Sequence, residues 1–343
     1  MARNKRRAVG RLFALGIAFA HAASANAQTT AQFYQGRTVT LIVSTGVGGG
    51  YDNYGRLLIK YLPRYLPGSP ATTIQFMPGA GGAVAANHLY NVAPRDGSTI
   101  GLISPQAPAF QVLVGGMRYD ASRFNYIGRA ATIQFVSMVW HTSGVTGLDD
   151  MKKTEVLFGS TGPSQTMHMI PVVLKNLLGL NARVVAGYKG IPELTFAMER
   201  GEITGITRDW AGWQSQHADW IAGRKLVPVV QSGPERAREL PNVPLLTDLS
   251  RNAEELAVLQ LLSSDAIIGR GFMMPPDVPP ERVNAMRRAF DGAMRDGELL
   301  ADAKRSGLDI EPMTGEALQA LVEATIATPP SVLKRTRDVL EIK

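Results

Sequence analysis

Short apolar runs rich in β-branched residues alternate with segments of helical periodicity along nearly the whole chain, a pattern that predicts buried parallel strands joined by helices. Val39 to Ser44 reads as the first strand, followed by a glycine-rich turn and a helix from about Asp52. Leu57, Leu58, Tyr61, Leu62 and Tyr65 fall on one face of that helix, and Pro63 and Pro67-Gly68 end or kink it. Thr72 to Met77 is the next strand, the Gly79 to Gly82 turn opens another helix, and Pro94-Arg95-Asp96-Gly97 turns the chain into a strand at Thr99 to Ile103. After Tyr126 to Trp140 a second series begins, with strand Glu155 to Phe158, a Gly/Ser/Thr turn, a helix through Leu178 and strand Ala182 to Ala186. Further helices and strands run to about Ser232.

Gly233 to Pro244, which holds three prolines, reads as a connection, and the apolar run Asp265 to Met274 as one more buried strand. Beyond it the chain is mainly helical: Val283, Met286, Phe290 and Met294 keep helical spacing, only mildly weakened by Gly292. The class is α/β. With no repeat of solenoid period and no low-complexity linker, two lobes joined by crossing strands are expected rather than lobes on a flexible tether.

The N-terminus changes how the charge is read. Arg3, Lys5, Arg6, Arg7 and Arg11 precede an apolar run from Leu12 to Ala20 and the small-residue site Ala25-Asn26-Ala27, the layout of a secretory signal peptide over 1–27. The run is about half of the roughly 20 residues needed to span a bilayer. Cleavage after Ala27 removes five basic charges and reduces the excess of 36 Lys+Arg over 29 Asp+Glu from +7 to +2. No basic stripe interleaved with aromatics remains, so nucleic acid is not an expected partner. The chain has no cysteine. Disulfides and thiolate chemistry are therefore excluded, and stability must come from burial. Histidines 88, 141, 168 and 217 lie far apart, so no metal centre is expected, and nothing points to a cofactor.

The richest local chemistry is Ser44-Thr45-Gly46-Val47-Gly48-Gly49-Gly50-Tyr51-Asp52 between a strand and a helix. Glycines let backbone N–H groups approach a ligand, and a helix N-terminus carries partial positive charge, so an anion is favoured without Lys or Arg. The bland alternative is a tight turn with Asp52 only capping the helix. A P-loop would need Gly-Lys-Ser/Thr, and a dinucleotide fingerprint a third Gly where Tyr51 stands; neither fits. A second turn, Gly159-Ser160-Thr161-Gly162-Pro163-Ser164, also follows a strand and precedes a helix. Two lobes can thus each offer a helix N-terminus to one cleft. Ser164 is not in a Gly-x-Ser-x-Gly elbow, and no Ser, His and acid arrangement stands out, so an enzyme is not expected. His168, one turn into its helix, is either a ligand contact or a packed or capping histidine. Arg208-Asp209 either lines the cleft or forms a local pair.

In these features the chain resembles the substrate-binding proteins of tripartite tricarboxylate transporters, the Bug family of periplasmic receptors. The resemblance runs from Phe33-Tyr34-Gln35-Gly36-Arg37 through the first turn to Asp52, Pro78-Gly79-Ala80-Gly81-Gly82 and Ala93-Pro94-Arg95-Asp96-Gly97. It continues through Gly159 to Gly162 with His168, Gly187-Tyr188-Lys189-Gly190, Gly201-Glu202-Ile203, Leu240 to Pro244 and Met274 to Pro279. It implies a two-lobed periplasmic-binding-protein fold, each lobe a mainly parallel sheet flanked by helices, with the ligand cleft between lobes. The expected boundaries are 28–134 plus 245–343 for lobe 1 and 135–244 for lobe 2.

Carried over residue by residue, the resemblance points to Thr45, Gly48, Gly49 and Asp52 from the first turn and Ser160, Thr161 and Ser164 from the second. Ser104, Gln106 and Tyr188 follow at strand ends or turns, and His168, Arg208 and Asp209 complete the candidates. Ser44 and Gly46 replace the family's usual prolines, Val47 an alanine and Ser164 a frequent glycine, so the solute is expected to be bulkier, longer or more polar than a simple dicarboxylate. The function implied is a monomeric extracytoplasmic receptor that delivers a small carboxylated solute to integral membrane transporter subunits. The alternatives are a loaded protein signalling to a membrane histidine kinase and a secreted enzyme acting on a carboxylate.

Overall fold

A computed structural model describes residues 29–342, so the signal-peptide reading lies outside the described residues. The first sheet is formed by β1 (Thr38–Val43), β2 (Ala71–Phe76), β3 (Thr99–Leu102), β4 (Asn125–Arg129), β10 (Gly271–Met274) and β11 (Met313–Thr314), in the order β11-β4-β10-β3-β1-β2. The second holds β5 (Phe135–Trp140), β6 (Val156–Ser160), β7 (Ala182–Ala186), β8 (Gly205–Asp209) and β9 (Leu226–Ser232), in the order β7-β6-β8-β5-β9. β1 is buried on both faces through Leu41, Ile42 and Val43, as a central strand covered by helices must be.

In each sheet the β/α units are parallel, and an interior strand runs against them: β10 between β3 and β4, and β5 between β8 and β9. Both reversed strands have one cause. The chain leaves the first lobe at Arg129, where β4 ends, and re-enters structure at Phe135. It therefore comes into the second sheet from the end where the parallel strands finish and must run the other way. β10 repeats this on the return.

The two crossings lie side by side: the Ala130 N–H donates to the Arg270 carbonyl (3.0 Å), the Arg270 N–H to the Ala131 carbonyl (2.8 Å) and the Ile133 N–H to the Ala266 carbonyl (2.9 Å). Gly269, at φ +58°, makes the tight passage possible, because a Cβ there would sit 2.2 Å from the Ala131 oxygen.

The expected strand over Asp265 to Met274 is corrected. Asp265 to Ile268 end a helix, Ala253–Ile268, and only Gly271–Met274 is strand. Asn252 caps that helix through the Glu255 N–H, Glu254 and Glu255 suit its first turn, and Gly269 stops it. An apolar run alone does not distinguish a buried helix end from a strand.

In the helix Gly50–Tyr61, Leu57, Leu58 and Tyr61 are buried, as is Leu62 just beyond it. Tyr65 turns outward, because Pro63 tightens the chain into a 3₁₀ turn over Leu62–Arg64. Helix Pro280–Ala293 buries Val283, Met286 and Phe290, and Gly292 makes room for the Tyr65 ring. The C-terminal part divides between the cores. Val283, Met286 and Phe290 pack with Leu41 and Val43 of the first sheet. Val258, Leu259, Leu261 and Leu262 of Ala253–Ile268, with Val339 of Pro330–Leu340, pack with Val139, Val156 and Phe158 of the second.

Candidate functional site

Both glycine-rich turns leave the ends of strands that enter the cleft. The first follows β1 and leads into Gly50–Tyr61, whose N-cap is Gly49. A glycine has no side chain to cap with, so the amides of the first turn are not taken up by a cap. Gly48 holds φ +88° with open space around it, and Val47 is 71% exposed. The Asp52 carboxylate turns back on the loop: it accepts the Gly48 N–H (2.9 Å) and pairs with Arg56 (2.6 Å). It thus shapes the turn from beneath. Thr45 makes a long contact from its hydroxyl to the Gly46 carbonyl (3.4 Å).

The second turn satisfies itself. The Ser160 hydroxyl donates to the Gly162 carbonyl (3.2 Å) and accepts the Gly162 N–H (3.1 Å), while Thr161 reaches the Met167 sulfur (3.6 Å). The Gly187 and Tyr188 N–H groups both donate to the Ser160 carbonyl, folding the turn after β7 onto it. The Tyr188 ring packs on the Trp-rich core of the second lobe. His168 is half-buried, its Nδ1 has no partner, and burial holds its pKa below the ordinary value, which keeps it neutral at pH 7.

The lobes meet where Gly81 faces the second turn; a Cβ there would lie 2.8 Å from the Ser164 hydroxyl and 3.1 Å from Gln165 Nε2. Behind this contact a buried network spans both lobes and the return crossing. The Ser104 hydroxyl donates to the Gln106 carbonyl oxygen, and Gln106 Nε2 donates to Thr166 (2.9 Å) and to Asp265 (3.1 Å). The Thr166 hydroxyl donates to the same Asp265 oxygen (2.5 Å), and the Ala266 N–H to the other (2.7 Å). Burial pushes the Asp265 carboxyl up to about 6, against the pull of these hydrogen bonds.

Arg208 is committed to its own lobe: it donates to Gln216 (3.2 Å), lies over the Trp213 ring and pairs loosely with Asp209 at 3.9 Å. Burial lowers its pKa. Asp209 caps helix Trp210–Gln216 through the Gly212 N–H (3.0 Å). Its charge is nevertheless felt across the cleft at Tyr51 of the first turn.

Tyr51 and Arg270 escaped the sequence reading. Arg270 is 7% exposed, and its guanidinium lies 4.3 Å from the Tyr51 ring centroid and 5.6 Å from that of Tyr54. It stands so close to the first turn that a Cβ on Gly50 would be 2.8 Å from Nη2. Among the described residues no carboxylate lies within 4.0 Å of it. Burial pushes the Tyr51 phenol up to about 12, Arg270 opposing and Asp265 and Asp209 reinforcing the shift. A usable signal existed: Asp265 and Arg270 are charges inside an apolar run, and a buried charge needs a reason. A separate cavity of about 330 Å³ beside the return crossing, lined by Gly233, Thr247, Asp248, Gln260 and Ser263, takes no residue from either turn.

Two α/β lobes on adjacent crossings, with helix-entry turns from both facing one cleft, define the fold of a two-lobed periplasmic binding protein. In sequence and in fold the chain is similar to the Bug family of these receptors. No family model matches the chain. A UPF0065 protein of Bordetella bronchiseptica is 24% identical over 303 residues, spanning 87% of this chain and 83% of that protein. The periplasmic binding protein BugD superposes with a TM-score of 0.67 at 17% identity, over 90% of this chain and 99% of that one. MatC of Rhodopseudomonas palustris with bound malate gives a TM-score of 0.64 at 18% identity, over 89% and 99%.

Proposed function

We propose that this chain is a periplasmic receptor that captures a small carboxylate-bearing solute between its lobes and passes it, by closure, to a membrane transporter of the tripartite tricarboxylate type. The observation that carries this is the meeting of Gly81 with Ser164 and Gln165 across the cleft, beside two helix N-termini without side-chain caps, those of Ala83–Asn91 and Thr166–Asn176. Such ends present N–H donors and partial positive charge to an anion. The adjacent crossings are suited to act as the hinge, and malate in MatC supports the ligand class. Ser104, Gln106, Thr166 and Asp265 form the floor of the cleft in this reading, and Thr45, Gly48 and Gly49 its first wall. The receptor works as a monomer.

The test is a thermal-shift screen of residues 28–343, unfolded and refolded to strip solute, against mono-, di- and tricarboxylates, aromatic acids and neutral sugars. A solute at about one hundred times its Kd stabilises the fold by roughly 2.7 kcal/mol, a readily visible shift. Shifts with neutral sugars and none with any acid would reject the reading.

A further inference from the structure

We propose that Arg270 is the charged anchor of the solute, and that the solute presents one anionic group to it and a neutral or cationic remainder to Asp209. The proposal rests on the receptor reading and deepens it by naming a contact residue and a charge class.

A guanidinium taken out of water is strongly destabilising unless it is paired. Arg270 is 93% buried by its 7% exposure, its Nε has no hydrogen-bond partner, and the protein gives it aromatic faces in place of a counter-ion. Its place is specific. Nη2 crowds the position that a side chain at Gly50 would occupy, so the charge stands at the first residue of the helix Gly50–Tyr61. One more buried polar atom without a partner belongs to the same turn, the Ser44 hydroxyl that precedes it, while the Tyr51 hydroxyl is turned toward Arg270. An anion at this point gains backbone N–H donors, the helix dipole and a charge-assisted contact together.

The surroundings limit the charge it accepts. Asp265 lies five residues before Arg270 on the return crossing, and Asp209, at the end of β8 in the opposite lobe, pairs with Phe135, four residues along the outgoing crossing from Ala131, whose carbonyl accepts the Arg270 N–H; both acids act on Tyr51. A second carboxylate on the solute would approach like charges. A hydroxyl, amide or ammonium would meet acceptors.

Isothermal titration separates the possibilities. The probes are butyrate, benzoate, glutamate, succinate, adipate and malate, each beside the corresponding amide, with wild-type protein, Arg270→Gln and Asp209→Asn. Wild type is expected to bind a solute of net charge −1 more tightly than its dicarboxylate counterpart, and Arg270→Gln to bind it about 100-fold more weakly. The amide should bind weakly to both proteins. Asp209→Asn keeps Arg270 in place and an acceptor at the cap, and is expected to narrow the preference against dicarboxylates about tenfold.

Binding by folded Arg270→Gln within threefold of wild type overturns the anchor while leaving the receptor reading intact. An unchanged preference in Asp209→Asn overturns the charge class, even if Arg270→Gln does not fold. Wild-type protein that binds none of these acids overturns the anchor and the receptor reading together.

Discussion

The two glycine-rich turns look alike as sequence and are built for different work. The first is open and backed by charge: Gly48 has free space around it, Gly49 caps without a side chain, and Arg270 stands against Gly50. The second is closed on itself. Ser160 satisfies Gly162, Gly159 is wedged into the core, and Thr166 at the helix entry is tied through Asp265 to the return crossing. Glycine therefore serves approach in one turn and packing in the other. The difference suggests a division in which the first lobe holds the charge of the solute and the second couples its presence to the hinge.

The largest expected effect that sharpens this contrast is at Gly159. A Cβ there would lie 2.4 Å from both Ile203 Cδ1 and Leu194 Cδ2, which are fully buried. Gly159→Val should cost about 3 kcal/mol by overpacking, read as a lower denaturation midpoint with an unchanged slope. A midpoint equal to wild type would show the second turn to be as free as the first.

Next comes Asp265, whose carboxyl titrates at about 6 in the folded protein against an ordinary 3.8. Between those values the folded state holds a proton that the unfolded state has released, so stability falls as pH rises from about 4 to about 6 and then levels. The loss attributable to this group is on the order of 3 kcal/mol, and Asp265→Asn should remove it from the pH profile. A profile identical in the variant would separate the second turn from the hinge.

The smallest effect on stability is expected at Gly48, where φ is +88° and nothing lies within 4 Å of an added Cβ. Gly48→Ala should cost about 1 kcal/mol of backbone strain and weaken solute binding more than it lowers the melting temperature. Equal losses in both would argue that the first turn also serves packing.

Much of this was legible in the sequence. The alternation of β-branched runs with helical periods located most strands, because buried parallel strands and amphipathic helices leave distinct periodicities. The reversed direction of β5 and β10 left no such trace, since it follows from the side on which the chain enters a sheet. Both turns were visible as glycine clusters, but their difference was not. Whether Asp52 faces a solute or the Gly48 amide, and whether Arg208 faces the cleft or Gln216, depends on side-chain direction that spacing does not specify. Arg270 is hidden for a related reason: the run from Asp265 to Met274 has the composition of one buried strand, and its two charges mark instead the last turn of a helix and the crossing before a short strand.

The reversed strand of the first sheet also bears on how the protein comes into being. β10 fills the gap between β3 and β4, yet it follows β4 in the chain by more than a hundred positions, with the whole second sheet made in between. During vectorial synthesis β3 and β4 must wait with unpaired edges until residues 271–274 arrive. The second sheet, made from one continuous stretch, has all its strands by residue 232, although part of its helical cover comes later. Long-range pairing of this kind slows folding and leaves hydrophobic edges exposed to association. The first lobe, which carries the charge, is thus the part of the molecule most in need of protection while the chain is incomplete.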